Sequence, residues 1–266
     1  MLLVRMVFMV GSLLVADVMH GRLEGADCGL SFTAATLRMS ASRQKMFGVE
    51  WRLLQGVPEH EVRRLVQVAR RRSFRRGEIV FHRDDPADSL HLIVKGRFAV
   101  RVMTPLGEQA TIAVRAPGES FGEMALVGRA AKRSATVEAL ETAETFCIYE
   151  GEFARLRREH PEVNELVIAF LANEVRMLND RLLEALYVPA ERRVLRRLIE
   201  LAQIYEQDAK GRAEIPLTQE ELAGLAGTSR ATVNSVLGHA QERGLVELRR
   251  GRTRVLDPDR LARRAR

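Results

Sequence analysis

Cysteine is nearly missing from this chain: Cys28 and Cys147 are the only two in 266 residues, and they stand far apart in dissimilar surroundings. That excludes a disulfide framework, a four-cysteine zinc site and a four-cysteine iron–sulfur cluster. Cys147, inside the apolar run Phe146-Cys147-Ile148-Tyr149, reads as a buried small side chain. No Gly-x-x-x-x-Gly-Lys phosphate loop, no nucleophile–base–orienter spacing and no paired catalytic carboxylates occur, which argues against an enzyme. No metal site is expected. The longest early apolar run, Met6 to Ala16 behind Arg5, is too short to span a bilayer, although it fits the core of a signal peptide. Export conflicts with what the rest of the chain encodes. Residues 1–45 are therefore read as a poorly ordered leader or as lying upstream of the true start. Met6, Met9, Met19, Met39 and Met46 are all candidate starts, and the recognisable sequence begins near Met46.

What is present describes a globular protein with a polyanionic partner. A hydrophobic content of 46% with mean hydropathy of -0.13 is enough to bury a core. The net charge is +7 and the pI about 10.1. From Ala190 to the end, 16 Lys and Arg face 11 Asp and Glu, so most of the positive excess lies in the last quarter of the chain.

Residues 121–137 carry the densest chemical signal. Gly122 lets the backbone approach an anion closely, and the amides that follow, through Met124 and Ala125, can open a short helix toward phosphate oxygens. Arg133 adds a fixed cationic fork and Ser134 a hydroxyl donor. Glu123 only accepts hydrogen bonds, so it suits a sugar hydroxyl and not a phosphate. Taken alone, the segment equally fits an ordinary turn with a solvated acid and a surface arginine. Its surroundings favour a cyclic phosphodiester site.

Those surroundings are strands. Short runs recur at Ile79 to His82, Leu90 to Val94, Phe98 to Met103, Thr111 to Val114, Ala135 to Ala139 and Thr145 to Tyr149, punctuated by Gly77, Gly96, Gly107 and Gly118. This pattern predicts a small barrel or double-sheet roll. Before it, Leu53, Leu54, Val57, Val62, Leu65, Val66 and Ala69 predict a helix over Phe47 to Ala69. The run Arg70-Arg71-Arg72 with Arg75 and Arg76 reads as a solvated face. After Pro161, the positions Val167, Leu171, Val175, Leu178, Leu182 and Leu186 step by four and three. At ~1.5 Å per residue, a helix to Tyr187 would span ~40 Å and overhang so small a roll. A paired helix, and so a homodimer, is expected. Val188-Pro189-Ala190 marks a hinge. The expected segments are 1–45 leader, 46–160 roll, 161–188 dimerisation helix and hinge, and 189–266 DNA-binding domain.

Beyond the hinge, Glu191 to Tyr205 predicts an amphipathic helix. Thr218 and Glu221 then fit a capping box over Leu222, Leu225 and Ala226. Gly227 permits a tight turn, and Ser229 caps a second helix whose inward positions are Val233, Val236, Leu237 and Ala240. Arg230, Ala231, Thr232, Asn234 and Ser235 lie near its start, where a helix entering a major groove meets base edges. Arg230 suits guanine. Val246 to Leu256, with Arg249, Arg250, Arg252 and Arg254 around Gly251, predicts a wing contacting the phosphates of double-stranded DNA.

The order of nucleotide cassette, glycine-punctuated roll, long helix, proline hinge and winged helix-turn-helix resembles the Crp/Fnr family of bacterial transcription regulators. The resemblance covers about Phe47 to Arg266 and is most specific at Phe121 to Val137 and Leu217 to Val233. It implies an α+β chain: an antiparallel β-roll of the jelly-roll kind, a dimerisation helix and a C-terminal winged helix-turn-helix. It further implies a cytoplasmic homodimer, working with RNA polymerase, in which a cyclic nucleotide controls DNA affinity. Gly122, Glu123, Arg133 and Ser134 take the ribose and phosphate roles.

Three departures stand out. Where cyclic-AMP-responsive members place a threonine and a serine against adenine, this chain has Leu178 and Asn179. Ala231 and Ser235 replace a base-reading glutamate and arginine. Asp84 replaces a turn glycine, a tolerable change because aspartate visits the left-handed region more readily than most residues. The effector implied is cyclic AMP. Cyclic GMP, a cyclic dinucleotide, haem through His82 or His91, and ligand-independent binding remain alternatives.

Overall fold

The computed structural model describes residues 49–265 apart from 56, 57, 105, 106, 108, 127–131, 162, 206 and 210. The leader of 1–45, Cys28 and Val57 lie outside the described residues.

The helix expected over Phe47 to Ala69 is broken in two. A single 3-10 turn, Arg52–Leu54, precedes α1 (Glu59–Val68), and Pro58 occupies the N-cap between them. Proline carries no amide to continue a helix through that point, but it is well placed at a helix start. The roll follows as β1 (Arg70–Phe74), β2 (Ile79–Phe81), β3 (Ser89–Lys95), β4 (Phe98–Met103), β5 (Gln109–Arg115), β6 (Ser120–Phe121), β7 (Thr136–Ala139) and β8 (Ala143–Tyr149). Two four-stranded antiparallel sheets, ordered β1-β8-β3-β6 and β2-β7-β4-β5, face each other. The arginine run forms β1: its backbone pairs with β8, Arg70 to Ser73 point to solvent and Phe74 points in.

Strand alternation sorts β3 into two environments. Leu90 and Leu92 join Trp51, Val62, Leu65, Phe146 and Phe153 under the helices. His91 and Ile93 turn to the interior of the roll, where Phe74, Phe98 and Phe121 pack. The Trp51 indole donates to the Ile93 carbonyl at 2.9 Å and ties the two layers together. Asp84 has φ of 68°, the left-handed conformation that its turn requires.

Then come α2 (Glu150–Glu159) and α3 (Val163–Tyr187). The expected apolar stripe of α3 divides. Val167 is buried and Leu171 half-buried against the chain's own roll, because the first turns of α3 lie over it. Val175, Leu178, Leu182 and Leu186 are 56–64% exposed, joined by Leu183 and Tyr187. Pro189 caps α4 (Ala190–Ile204) at the hinge.

The last region contains β9 (Ala213–Ile215), α5 (Gln219–Ala226), α6 (Arg230–Glu242), β10 (Val246–Arg249), β11 (Arg252–Val255) and α7 (Pro258–Arg264). Its sheet is ordered β10-β11-β9. One apolar cluster unites them, with Val194, Leu198, Ile215, Val233, Leu237, Val255 and Leu261 at 0–1% exposure.

Candidate functional site

The anion cradle is set by Gly122 and Arg133. Gly122 has φ of 84°, and a Cβ there would fall 2.7 Å from both Arg133 Nη1 and the Ser89 carbonyl oxygen. Only glycine meets both demands. The short helix expected after Gly122 is a single 3-10 turn, Glu123–Leu126, so a summed helix dipole contributes little there. Ala125 is buried in it, while Glu123 and Met124 are half-buried.

Arg133 is 3% exposed and reaches inward. Nη1 donates to the Ser89 carbonyl at 2.7 Å and to the Gly122 carbonyl at 3.3 Å. Nη2 donates to Asp88 Oδ1 and to Ser89 Oγ, both at 2.9 Å. The guanidinium carbon lies 4.0 Å from the centre of the Phe81 ring, and Nε is buried with no hydrogen-bond partner. Burial pushes the Arg133 pKa down, and the Asp88 carboxylate opposes that shift. A buried guanidinium with an orphaned donor is a cation that a second anion would satisfy. Ser134 is exposed beside it.

His91 lies under this cradle. Its ring stacks on Phe121 with centroids 4.9 Å apart, and Nδ1 is 3.0 Å from Thr145 Oγ1. Burial, with Arg133 and Arg72 adding to it, lowers its pKa to about 3. It is a neutral interior side chain. Burial likewise raises the Cys147 thiol pKa. Among the described residues, no group of three His, Cys, Asp or Glu could hold a metal ion.

Leu178 and Asn179 stand exposed on α3. Among the described contacts of a single chain, none joins them to Gly122 or Arg133.

The helix-turn-helix is built by capping. Thr218 Oγ1 accepts from the Glu221 amide at 3.2 Å, and Glu221 Oε2 accepts from the Thr218 amide at 2.8 Å, closing the capping box of α5. Gly227 ends α5 in the left-handed conformation. Ser229 Oγ then accepts from the Thr232 amide at 3.2 Å and starts α6. Val233, Val236, Leu237 and Ala240 are buried, which leaves Arg230, Ala231, Asn234 and Ser235 exposed on the outer face and Thr232 half-buried. A groove of about 510 Å³ separates Arg230 and Gln219 from the Arg250–Arg252 turn.

The wing arginines divide in a way that residue type did not show. Arg252 is paired with Glu214 at 2.6 Å, Arg254 lies 3.6 Å from Asp208, and Arg249 donates to Glu247 at 2.9 Å. The Arg252 and Arg254 pairs use the missed strand β9 and the turn before it, and the Arg249 pair stays within β10. Among the described contacts, Arg230 and Arg250 have no carboxylate partner.

A β-roll with a buried cationic cradle, followed in the same chain by a winged helix-turn-helix, defines a ligand-sensing DNA-binding protein. Comparison with known proteins agrees with that architecture. Residues 71–160 match the cyclic nucleotide-binding domain model, and residues 192–264 match the Crp-like helix-turn-helix domain model. The chain is 31% identical over 204 residues to the cyclic AMP receptor protein of Thermus thermophilus, covering 76% of this chain and 91% of that one. It is 29% identical over 216 residues to a CRP-like cAMP-activated global transcriptional regulator of Mycobacterium tuberculosis, covering 80% and 96%. Among solved structures, a CRP-family transcriptional regulator from Thermus thermophilus superposes with a TM-score of 0.61 at 27% identity, over 73% of this chain and 96% of that one. The c-di-GMP-responsive regulator CLP of Xanthomonas campestris shares the fold, with a TM-score of 0.64 at 20% identity over 75% and 99%. The chain belongs to the Crp/Fnr family of transcription regulators, proteins that are not enzymes. No helix among the described residues is long and apolar enough to cross a membrane.

Proposed function

We propose that this protein is a cytoplasmic homodimer whose affinity for a specific DNA site is controlled by cyclic AMP bound at the Gly122–Arg133 cradle. The observation that carries this reading is the Arg133 guanidinium, buried against a backbone only glycine can supply and left with an unsatisfied Nε. The residues fit the group: Arg133 and Ser134 hold the cyclic phosphate, the Glu123 and Met124 amides add donors, Ala125, whose own amide donates to the Gly122 carbonyl at 3.1 Å, lines the site, and the Glu123 carboxylate accepts from the ribose hydroxyl. The base would meet α3 of the dimer at Leu178 and Asn179. Only Asn179 of that pair can hydrogen-bond a base edge, so Asn179 is assigned the discrimination between cyclic AMP and cyclic GMP.

Dimerisation is supported by the exposed half of α3. At ~1.5 Å per residue its 25 residues run ~37 Å, and four leucines and valines at heptad spacing stand in water where a second copy would cover them. On DNA, Ser229, Arg230, Ala231, Thr232, Asn234 and Ser235 enter the major groove, while Thr218, Arg250 and Arg252 contact phosphates. Residues 46–160, 161–188 and 189–266 are the sensing, dimerising and reading segments. A contact with RNA polymerase belongs to the same reading, supported by the family's role in transcription.

Calorimetric titration with cyclic AMP, cyclic GMP and cyclic di-GMP tests the effector. Cyclic AMP is expected to bind, and Arg133→Ala to lower its affinity on the order of 100-fold, by loss of two charge-assisted hydrogen bonds. Unchanged binding in that variant contradicts the cradle. Tighter binding of cyclic di-GMP or cyclic GMP than of cyclic AMP reassigns the effector.

A further inference from the structure

Arg101, on β4, joins two segments far apart in sequence. Its Nη1 lies 2.9 Å from Glu138 Oε2 on β7, and its Nη2 donates to Glu221 Oε1 on α5 at 3.0 Å. All three side chains are at most 22% exposed. The Glu221 carboxylate is therefore shared: Oε2 closes the capping box at Thr218, and Oε1 receives Arg101. Strand β7 starts at Thr136, immediately after Arg133, Ser134 and Ala135. A short run of strand thus connects the anion cradle to Glu138, and one guanidinium connects Glu138 to the first helix of the helix-turn-helix.

Two further contacts press the same surfaces together. A Cβ on Gly224 of α5 would fall 2.8 Å from the Thr111 carbonyl oxygen and 2.9 Å from its nitrogen, so α5 rests on the main chain of β5. Arg97 donates through Nε to the Ile204 carbonyl at the end of α4, at 2.8 Å, and lies 4.2 Å over the Tyr205 ring. Val114 and Leu140 of the roll pack against the apolar cluster of the DNA-reading region.

We propose that Arg101 is a positioning residue: through Glu138 and Glu221 it transmits occupancy of the cradle to the DNA-reading helices of the same chain, by a route that does not pass through α3. This rests on the cyclic-nucleotide reading above. Movement of β7 on ligand binding shifts Glu138, and a partly buried bridge passes that shift to the N-terminus of α5, because the bridge loses its geometry unless both carboxylates move with the guanidinium.

The test compares DNA affinity with and without cyclic AMP, by fluorescence anisotropy on full-length protein. Wild type, Arg101→Met, Glu221→Gln, the double variant and Arg101→Lys are measured. Glutamine retains the capping box, so Glu221→Gln removes the bridge without uncapping α5. The ratio of the two affinities is expected to fall at least fivefold in Arg101→Met and in Glu221→Gln, to fall no further in the double variant, and to recover in part in Arg101→Lys. A bridge that only stabilises the fold would lower the melting temperature and leave the ratio at its wild-type value, which overturns the proposal. A wild type whose DNA affinity ignores cyclic nucleotides removes the functional reading and the coupling together. A wild type that responds alongside equally responsive bridge variants removes the coupling alone.

Hydrogen exchange supplies a second arm. Gly224→Ala is expected to speed amide exchange in β5 and α5 although alanine is the better helix former, because its methyl has no room against Thr111. Slower exchange in both elements would contradict the contact on which the bridge depends.

Discussion

The roll and the DNA-reading region are packed on different principles. Ser89, His91, Thr111, Ser120, Arg133 and Thr145 are all buried in the roll, whereas the cluster joining α4 to α7 is apolar but for the Tyr205 hydroxyl, with Arg197 and Thr253 the buried polar side chains beside it. Polar groups taken out of water are costly unless satisfied, so an interior that holds them is tied to particular hydrogen bonds. An apolar core depends on volume and shape alone. The roll is thus sensitive to charge and protonation, and the reading head is sensitive to cavities.

The largest expected effect lies in the roll. His91 has a folded pKa of about 3 against an ordinary 6.5, so the native state resists its protonation. A group whose folded pKa is depressed contributes stability above its unfolded pKa and loses it as pH falls. Chemical denaturation should show His91 costing stability progressively from about pH 6.5 down to about pH 3, by roughly 4 kcal/mol at the lower end. His91→Phe should flatten that part of the profile, and an unchanged slope would contradict the assignment.

The reading head gives the complementary result. Leu237→Ala, at a fully buried position of α6, should cost about 2–5 kcal/mol by opening a cavity. It should abolish DNA binding while cyclic-nucleotide titration of the roll remains measurable. Loss of both functions together would show that the two cores unfold as one.

Smaller effects sharpen the division at the surface. Arg230→Ala should cost ~1–3 kcal/mol on the preferred DNA and relax selection at one guanine, read by binding-site selection at fixed salt. An equal loss on every sequence would place Arg230 on phosphate. Thr218→Ala removes the acceptor for the Glu221 amide and should cost ~1 kcal/mol, seen as faster exchange confined to the first turn of α5.

Much of this architecture can be read from the chain because local chemistry specifies it. The caps at Thr218 and Ser229, the glycine after α5 and the buried positions of α6 are contacts within a few residues of one another. Strands β2 to β5 and β7 to β8 are legible from apolar runs between turn glycines. Strand β1 is not, because four of its five side chains face water and its identity comes from pairing with β8 some seventy residues away. The stripe on α3 shows what periodicity leaves open. Heptad spacing marks an apolar face, but it does not distinguish Val167, covered by the chain's own roll, from Leu182, which stands exposed. The inward turn of Arg133, the pairing of Arg252 with Glu214 and the Arg101 bridge depend on partners brought together by the fold.

The most direct measurement is DNA affinity by fluorescence anisotropy, with and without cyclic AMP at a concentration that just saturates wild type, for wild type and Arg133→Ala at one salt concentration. A control cradle predicts that the nucleotide changes wild-type affinity about 5- to 150-fold, the span of typical couplings, and leaves the dimeric, folded Arg133→Ala protein at its unliganded value. Equal responses in the two proteins would contradict it.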